Sequence, residues 1–187
     1  MKFFKMYAQP CIEEYVTPGE ALGVLRKGCR YSEFQYLDHA PISAEVADDG
    51  GIIFPDFIVH QTIPLISIGV RRVFDRFNID YIFYKPVQLT IAARGIAEDY
   101  CMALPPRIHC LDVERSTFIA REEEDSRQPI ERRCEVSKIV IAPKKVGRFD
   151  IFKIANAVNQ EIIVTERLKN ALDAGAFENM FFYELEE

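Results

Sequence analysis

The chain has 187 residues, 49% hydrophobic and 28% charged, with 9 Gly and 10 Pro, a composition that supports one globular domain and excludes the disordered, collagen-like and disulfide-scaffold classes. Its 23 Lys and Arg against 29 Asp and Glu leave a net charge of −6, which disfavours a nucleic-acid ligand, whose phosphates need a concentrated basic face, and suits a basic protein partner. The five cysteines, Cys11, Cys29, Cys101, Cys110 and Cys134, are an odd number in a chain large enough to fold without staples, so free thiols in a reducing cytoplasm are expected.

The first ten residues read as an aromatic strand ended by Pro10, with no apolar run of signal-peptide length behind the initial charges. Thr17-Pro18-Gly19-Glu20 has the form of a capping box, which predicts a helix from Pro18 to about Lys27 with Thr17 as N-cap and Gly28 as its stop. The aromatics Tyr31, Phe34 and Tyr36 suggest an extended segment from Arg30 to Ile42, and Asp48-Asp49-Gly50-Gly51 is the strongest turn signal in the chain. The apolar stretch Ile52 to Val70 is broken by Pro55, Asp56, His60, Gln61 and Pro64, so no transmembrane helix is expected.

Sliding the chain on itself sets Ser67-Ile68-Gly69-Val70-Arg71-Arg72-Val73-Phe74-Asp75 on Thr165-Glu166-Arg167-Leu168-Lys169-Asn170-Ala171-Leu172-Asp173, and Ile82-Phe83-Tyr84 on Met180-Phe181-Phe182. Each copy has a hydroxyl N-cap, an amphipathic helix and an aromatic strand. Val70, Val73, Phe74 and Phe77 have the spacing of one buried face, as do Leu168, Ala171 and Leu172, and Gly175 should end the second helix. Duplication and the common form of a helix packed on a sheet both explain the pattern. Either way the helices lie on a sheet that receives Tyr81 to Ile91 and Asn179 to Leu185.

Between the copies the period is two. Tyr100–Leu104 and Ile108–Val113 flank Pro105-Pro106 like the arms of a hairpin, and Cys134–Ala142 and Phe149–Ile154 flank Lys144-Lys145-Val146-Gly147 like another. The polar run from Arg121 to Pro129 is expected to be an exposed, mobile loop. The fold class is therefore α+β: a largely antiparallel or mixed sheet with a few packed helices, including two similar helix-strand units. No flexible linker divides it, so a single compact domain over 1–187 is expected, less regular over 1–63.

The nine glycines form neither G-x-G-x-x-G nor G-x-x-x-x-G-K-[ST], and no Cys-x-x-Cys or His-Glu-x-x-His occurs, so no cofactor and no metal site is expected. Cys101, His109 and Cys110 invite a thiol-nucleophile reading. Adjacent strand residues face opposite ways, which keeps His109 from Cys110, while Cys101 would approach His109 across the first hairpin. Buried thiols and a surface histidine are the plainer explanation. Asp112, Glu114 and Ser116 alternate, so an extended chain would show all three on one face, either as acid/base groups in a cleft or as a solvated strand end. The acidic run Glu122, Glu123, Glu124 and Asp125 is either a solvated loop or a surface that steers a basic partner. Arg71-Arg72 with Arg76, and Lys144-Lys145 with Arg148, read as solvated charges rather than a nucleic-acid platform.

Taken in order, Ile66-Ser67 to Val87, Arg107-Ile108-His109-Cys110-Leu111-Asp112-Val113-Glu114-Arg115-Ser116, and Phe149-Asp150-Ile151-Phe152-Lys153 through Glu161-Ile162-Ile163-Val164-Thr165-Glu166-Arg167-Leu168 to Phe182 resemble a bacterial family. It was first defined as a domain of unknown function and comprises immunity proteins of polymorphic toxin systems. The resemblance runs from about Pro64 to the C-terminus. Thr165 stands where many relatives have serine, and Asn179 departs from an expected glycine-valine. It implies a small cytoplasmic protein that binds and neutralises a cognate toxin and catalyses nothing. Asp112, Glu114, Ser116 and Glu122 to Asp125 are the candidate contact residues. Two other readings stay open: a small hydrolytic or transferase-type enzyme using Asp112 and Glu114, with or without His109, and a regulatory module that self-associates as a homo-oligomer through sheet edges.

Overall fold

The computed structural model describes residues 1–9, 12–31, 37–47, 50–120, 134–155, 157 and 160–186. Its contacts group into two compact units, one formed by Met1–Met6, Arg107–Lys169 and Phe182–Glu187, the other by Tyr7–Pro106 and Asn170–Phe181. The sheets are antiparallel or mixed and carry few helices, so the fold is α+β.

The unit around Tyr7–Pro106 holds a mixed five-stranded sheet. Its strands are β2 (Ile42–Glu45), β3 (Phe57–His60), β4 (Ile63–Ser67), β5 (Phe83–Ile91) and β6 (Ile96–Leu104), in the order β2-β5-β6-β4-β3. Only β2 runs parallel to its neighbour, from Ile42 opposite Val87 to Glu45 opposite Thr90. Burial alternates along the centre of β5, where Lys85, Val87 and Leu89 point inward, as period-two patterning requires. One side of the sheet packs Leu65, Val87, Leu89, Met102 and Leu104 against Leu22, Leu25 and Cys29. The helix α2 (Ile68–Arg76) buries Val70, Val73 and Phe74 and is capped by Ser67, whose hydroxyl accepts from the Val70 N–H. Phe77, expected on the same face, is its C-cap and only half-buried.

Residues 20–31 depart from expectation. Glu20–Leu25 is a 3-10 helix with Gly19 at its N-cap and no side-chain cap, and α1 (Arg26–Tyr31) follows it directly. Thr17 is unavailable as a cap because the chain there pairs laterally. The Ala47 N–H donates to Thr17 O at 2.8 Å, the Gly19 N–H donates to Glu45 O at 2.9 Å, and Pro18 bridges Val46. Gly28 lies within α1 rather than beyond it, where a Cβ would stand 2.7 Å from Leu37. Residues 32–36 of the expected extended segment, and Asp48-Asp49 of the expected turn, lie outside the described residues. The Gly50 N–H donates to Ala47 O at 2.9 Å.

The other unit carries a sheet with the order β12-β1-β11-β10-β7, made of β1 (Phe3–Tyr7), β7 (Arg107–Ile108), β10 (Ile151–Ile154), β11 (Ile162–Thr165) and β12 (Phe181–Glu184). A separate ribbon pairs β8 (Thr117–Ala120) with β9 (Cys134–Lys138). β10 and β11 are buried along their whole length, and their side chains join Phe3, Cys110, Val136 and Ile141 in the core. Phe3 meets Phe152 edge to face at 6.1 Å, a favoured aromatic geometry. The helix α4 (Glu166–Asp173) buries Leu168 and Leu172. It ends before Gly175, and Ala176 rather than that glycine takes the positive φ. A Cβ on Gly175 would lie 2.3 Å from the Phe177 ring, so a larger residue there would have to displace that ring.

Neither expected hairpin forms. β6 pairs with β4 and β5, whereas β7 pairs in parallel with β10 in the other sheet. Pro105-Pro106 separates them with two residues that cannot donate to a ladder. In the second case Pro143 starts a single helical turn, α3 (Pro143–Val146), and Gly147 leaves it at φ +60°. β9 is thereby free to pair with β8, and β10 with β11. The strands that follow α2 and α4 also belong to different sheets, not to one.

Candidate functional site

Asp112, Glu114 and Ser116 do not share an extended face. Leu111 bridges Ile141, the Asp112 N–H donates to Val140 O at 2.9 Å, and the Ser116 N–H closes a turn by donating to Asp112 O at 2.9 Å. The Ser116 hydroxyl donates to Val140 O at 3.3 Å and accepts from Val140 N–H at 3.2 Å. A short hydroxyl side chain that satisfies a neighbouring backbone in this way stabilises a turn over a strand. Asp112 is half-buried, while Val113 and Glu114 are exposed at the tip. Glu122, Glu123, Glu124 and Asp125 lie outside the described residues.

The thiols are placed for packing. Without the first hairpin, Cys101 sits on β6, next to the Arg71 guanidinium at 4.0 Å. Burial raises its pKa, with Arg71 opposing. Cys110 is fully buried, and burial pushes its thiol up to about 12. Neither is a thiolate at neutral pH, which a nucleophile has to be. The Arg71 guanidinium stacks over Tyr84, 3.3 Å from the ring centroid, and its Nε donates to Asp75 at 2.8 Å. Lys145 Nζ donates to Leu111 O at 2.8 Å. These members of the two basic clusters are committed to intramolecular contacts.

A cleft of about 190 Å³ runs along β3, lined on one side by Ile58, Val59, His60 and Gln61 and on the other by residues from Ala8 to Pro18. Hydrogen-bond phase along β3 is fixed by its first pair. The Ser67 N–H donates to Asp56 O at 2.8 Å, and the register continues from Phe57 opposite Ile66 to His60 opposite Ile63. In an antiparallel ladder bonded and non-bonded pairs alternate, so Ile58 and His60 bond inward to β4, while Phe57 and Val59 turn their backbone groups to the outer edge. Phe57 O accepts from Asn179 Nδ2 at 3.1 Å, and Asn179 Oδ1 accepts from the Gln9 N–H at 2.9 Å. Asn179 is buried and holds φ +58°, a conformation asparagine tolerates better than most residues. Burial lowers the pKa of His60, Arg26 adds to that shift and Glu20 opposes it. Neither Asp112 nor Glu114 lines this cleft. Its residues escaped the reading by periodicity because each is an ordinary strand or loop residue.

The sequence matches the Immunity protein family (Imm11) over residues 14–187. The chain belongs to that family. The Imm11 match begins at Glu14, well before Pro64, so most of the N-terminal third shares in the resemblance, and it takes in both the Asp112–Ser116 turn and β3. No curated protein matches the chain. Among the described residues of this Imm11 protein, no group of three or more His, Cys, Asp or Glu could hold a metal ion. No described helix is long and apolar enough to cross a membrane.

Proposed function

We propose that this Imm11 protein acts in the cytoplasm by binding a cognate polymorphic toxin directly and neutralising it without catalysing a reaction. The observation that carries this reading is the family match over residues 14–187. The net charge of −6 supports a basic toxin, because opposite charge speeds encounter. The exposed tip at Val113 and Glu114 supports a contact there, since it combines an apolar side chain with an acidic one on a turn fixed by backbone bonds. On this reading Asp112 and Ser116 hold the turn, Glu114 meets the partner, and Glu122, Glu123, Glu124 and Asp125 contribute to steering. Preformed contact surfaces of this kind bind with little conformational cost.

The test is affinity capture of tagged protein from the lysate of its source, with mass spectrometry and calorimetric titration of the enriched species. A nanomolar one-to-one complex with a toxin domain, and survival of cells that co-express the two, is the expected result. Failure to bind any toxin, together with no protection in cells, would overturn the reading.

A further inference from the structure

We propose that the outer edge of β3 is a docking site for an extended, basic segment of a partner polypeptide, which adds to the sheet at Val59 and seats one apolar side chain in the adjoining cleft. The proposal deepens the toxin-binding reading and rests on it for the identity of the partner.

Three observations support it. The backbone phase set by Asp56 and Ser67 turns the Val59 N–H and C=O away from β4 and toward the cleft that Val59 lines. An unpaired donor and acceptor on a strand edge are a template for another strand, and main-chain bonding of this type is a recurrent mode of peptide recognition. Next, Asn179 already makes the first such bond. Its amide spans Gln9 and Phe57, as the backbone of an added strand would, and one step further on, at Val59, no bond among the described residues continues the ladder. The third observation is charge. Glu13, Glu14, Glu20 and Glu178 are exposed beside the lining residues, and Arg26 is an exposed cation there among the residues whose exposure is described. Burial lowers the pKa of His60 and so favours its uncharged form. The lining offers Ile12, Tyr15, Val16, Pro55 and Ile58 to an apolar side chain. An extended segment with one apolar residue between Lys or Arg satisfies edge, pocket and rim together.

The test titrates the full ¹⁵N-labelled chain with acetylated, amidated heptapeptides of alternating Val, Leu or Phe and Lys, and with the same peptides carrying Glu for Lys. Amide shifts centred on Ile58 to Gln61 at about 1 mM peptide or below, with the Lys set at least about tenfold tighter than the Glu set, are expected. Val59→Pro deletes the outward N–H without touching a bond to β4, a change that edge positions tolerate, and should abolish those shifts. Val59→Lys, which keeps the backbone intact, should weaken the Lys peptides about tenfold by like charge and serves if the proline variant does not fold. Equal binding of Lys and Glu sets, wild-type binding by the Val59 variants, or shifts located elsewhere would overturn the proposal. So would no shift at these amides up to about 1 mM. A toxin domain that binds wild type and Val59→Pro equally also overturns it while leaving the toxin-binding reading intact, whereas absence of any toxin complex with wild type strikes that reading alone.

Discussion

Thr165 and Asp150 are joined twice: the Thr165 hydroxyl donates to Asp150 Oδ1 at 2.7 Å, and the Thr165 N–H donates to Asp150 O at 2.9 Å. The same hydroxyl accepts from the Leu168 N–H at the start of α4, and Arg167 pairs with the Asp150 carboxylate. In the other unit Ser67 stands in the same relation to Asp56, at 2.5 Å through the hydroxyl and 2.8 Å through the backbone. A residue that ends a strand, caps the next helix and is oriented by a carboxylate couples the two elements.

Thr165→Val should therefore cost about 1–3 kcal/mol, because it strips a buried carboxylate of a donor and a helix of its cap. Thr165→Ser keeps the hydroxyl and should cost no more than about 1 kcal/mol, the value of one methyl group. Urea unfolding midpoints of the two variants decide between them. Equal losses would remove the hydroxyl from the account.

Phe74 is fully buried in α2 and Leu172 nearly so in α4. Phe74→Ala and Leu172→Ala should each destabilise by about 2–5 kcal/mol, whereas Phe77→Ala, at a half-buried C-cap, should cost less than either. Calorimetric unfolding temperatures provide the ranking.

Ser116 and Glu114 lie in one turn but differ in role. Ser116→Ala removes two hydrogen bonds to Val140 and should lower stability by about 1–2 kcal/mol. Glu114→Ala should stay within about 0.5 kcal/mol of wild type, as exposed substitutions do. A large loss in Glu114→Ala would mean that the exposed carboxylate is structural, and would end its candidacy as a partner contact.

His60 makes stability depend on pH. Its folded pKa lies below the unfolded value of about 6.5, chiefly because it is partly buried, with Arg26 adding to the shift and Glu20 opposing it. Its contribution is complete above about 6.5. As pH falls below that value the unfolded chain takes up a proton that the folded chain refuses, and stability declines until the folded pKa is reached. His60→Gln should lose less stability than wild type between about pH 7.5 and pH 5.5, as read from urea midpoints. Parallel losses in both would show that other groups carry the acid sensitivity.

The sequence by itself determined the elements whose signals are local. The caps at Ser67 and Thr165, the α+β class and most of the two helix faces follow from residues within a few positions of one another, although Phe77 and Ala171, expected on those faces, are only half-buried. The family was legible in the same way, from motifs in order, though its reach to Glu14 was not. Only the tertiary structure decided what competing partners do to such signals. Thr17 fits a capping box, yet the Glu45–Ala47 backbone takes its bonds first. Alternation at Asp112, Glu114 and Ser116 implies a strand until Val140 supplies partners that close a turn. Pairings between residues far apart in sequence, such as β10 with β7 and β2 with β5, leave no periodic trace, because a strand carries the same alternation whichever neighbour it bonds. The edge at Val59 is the plainest case: its side chain was visible in the sequence, but the direction of its N–H depends on the phase that Asp56 and Ser67 impose from the other end of the ladder.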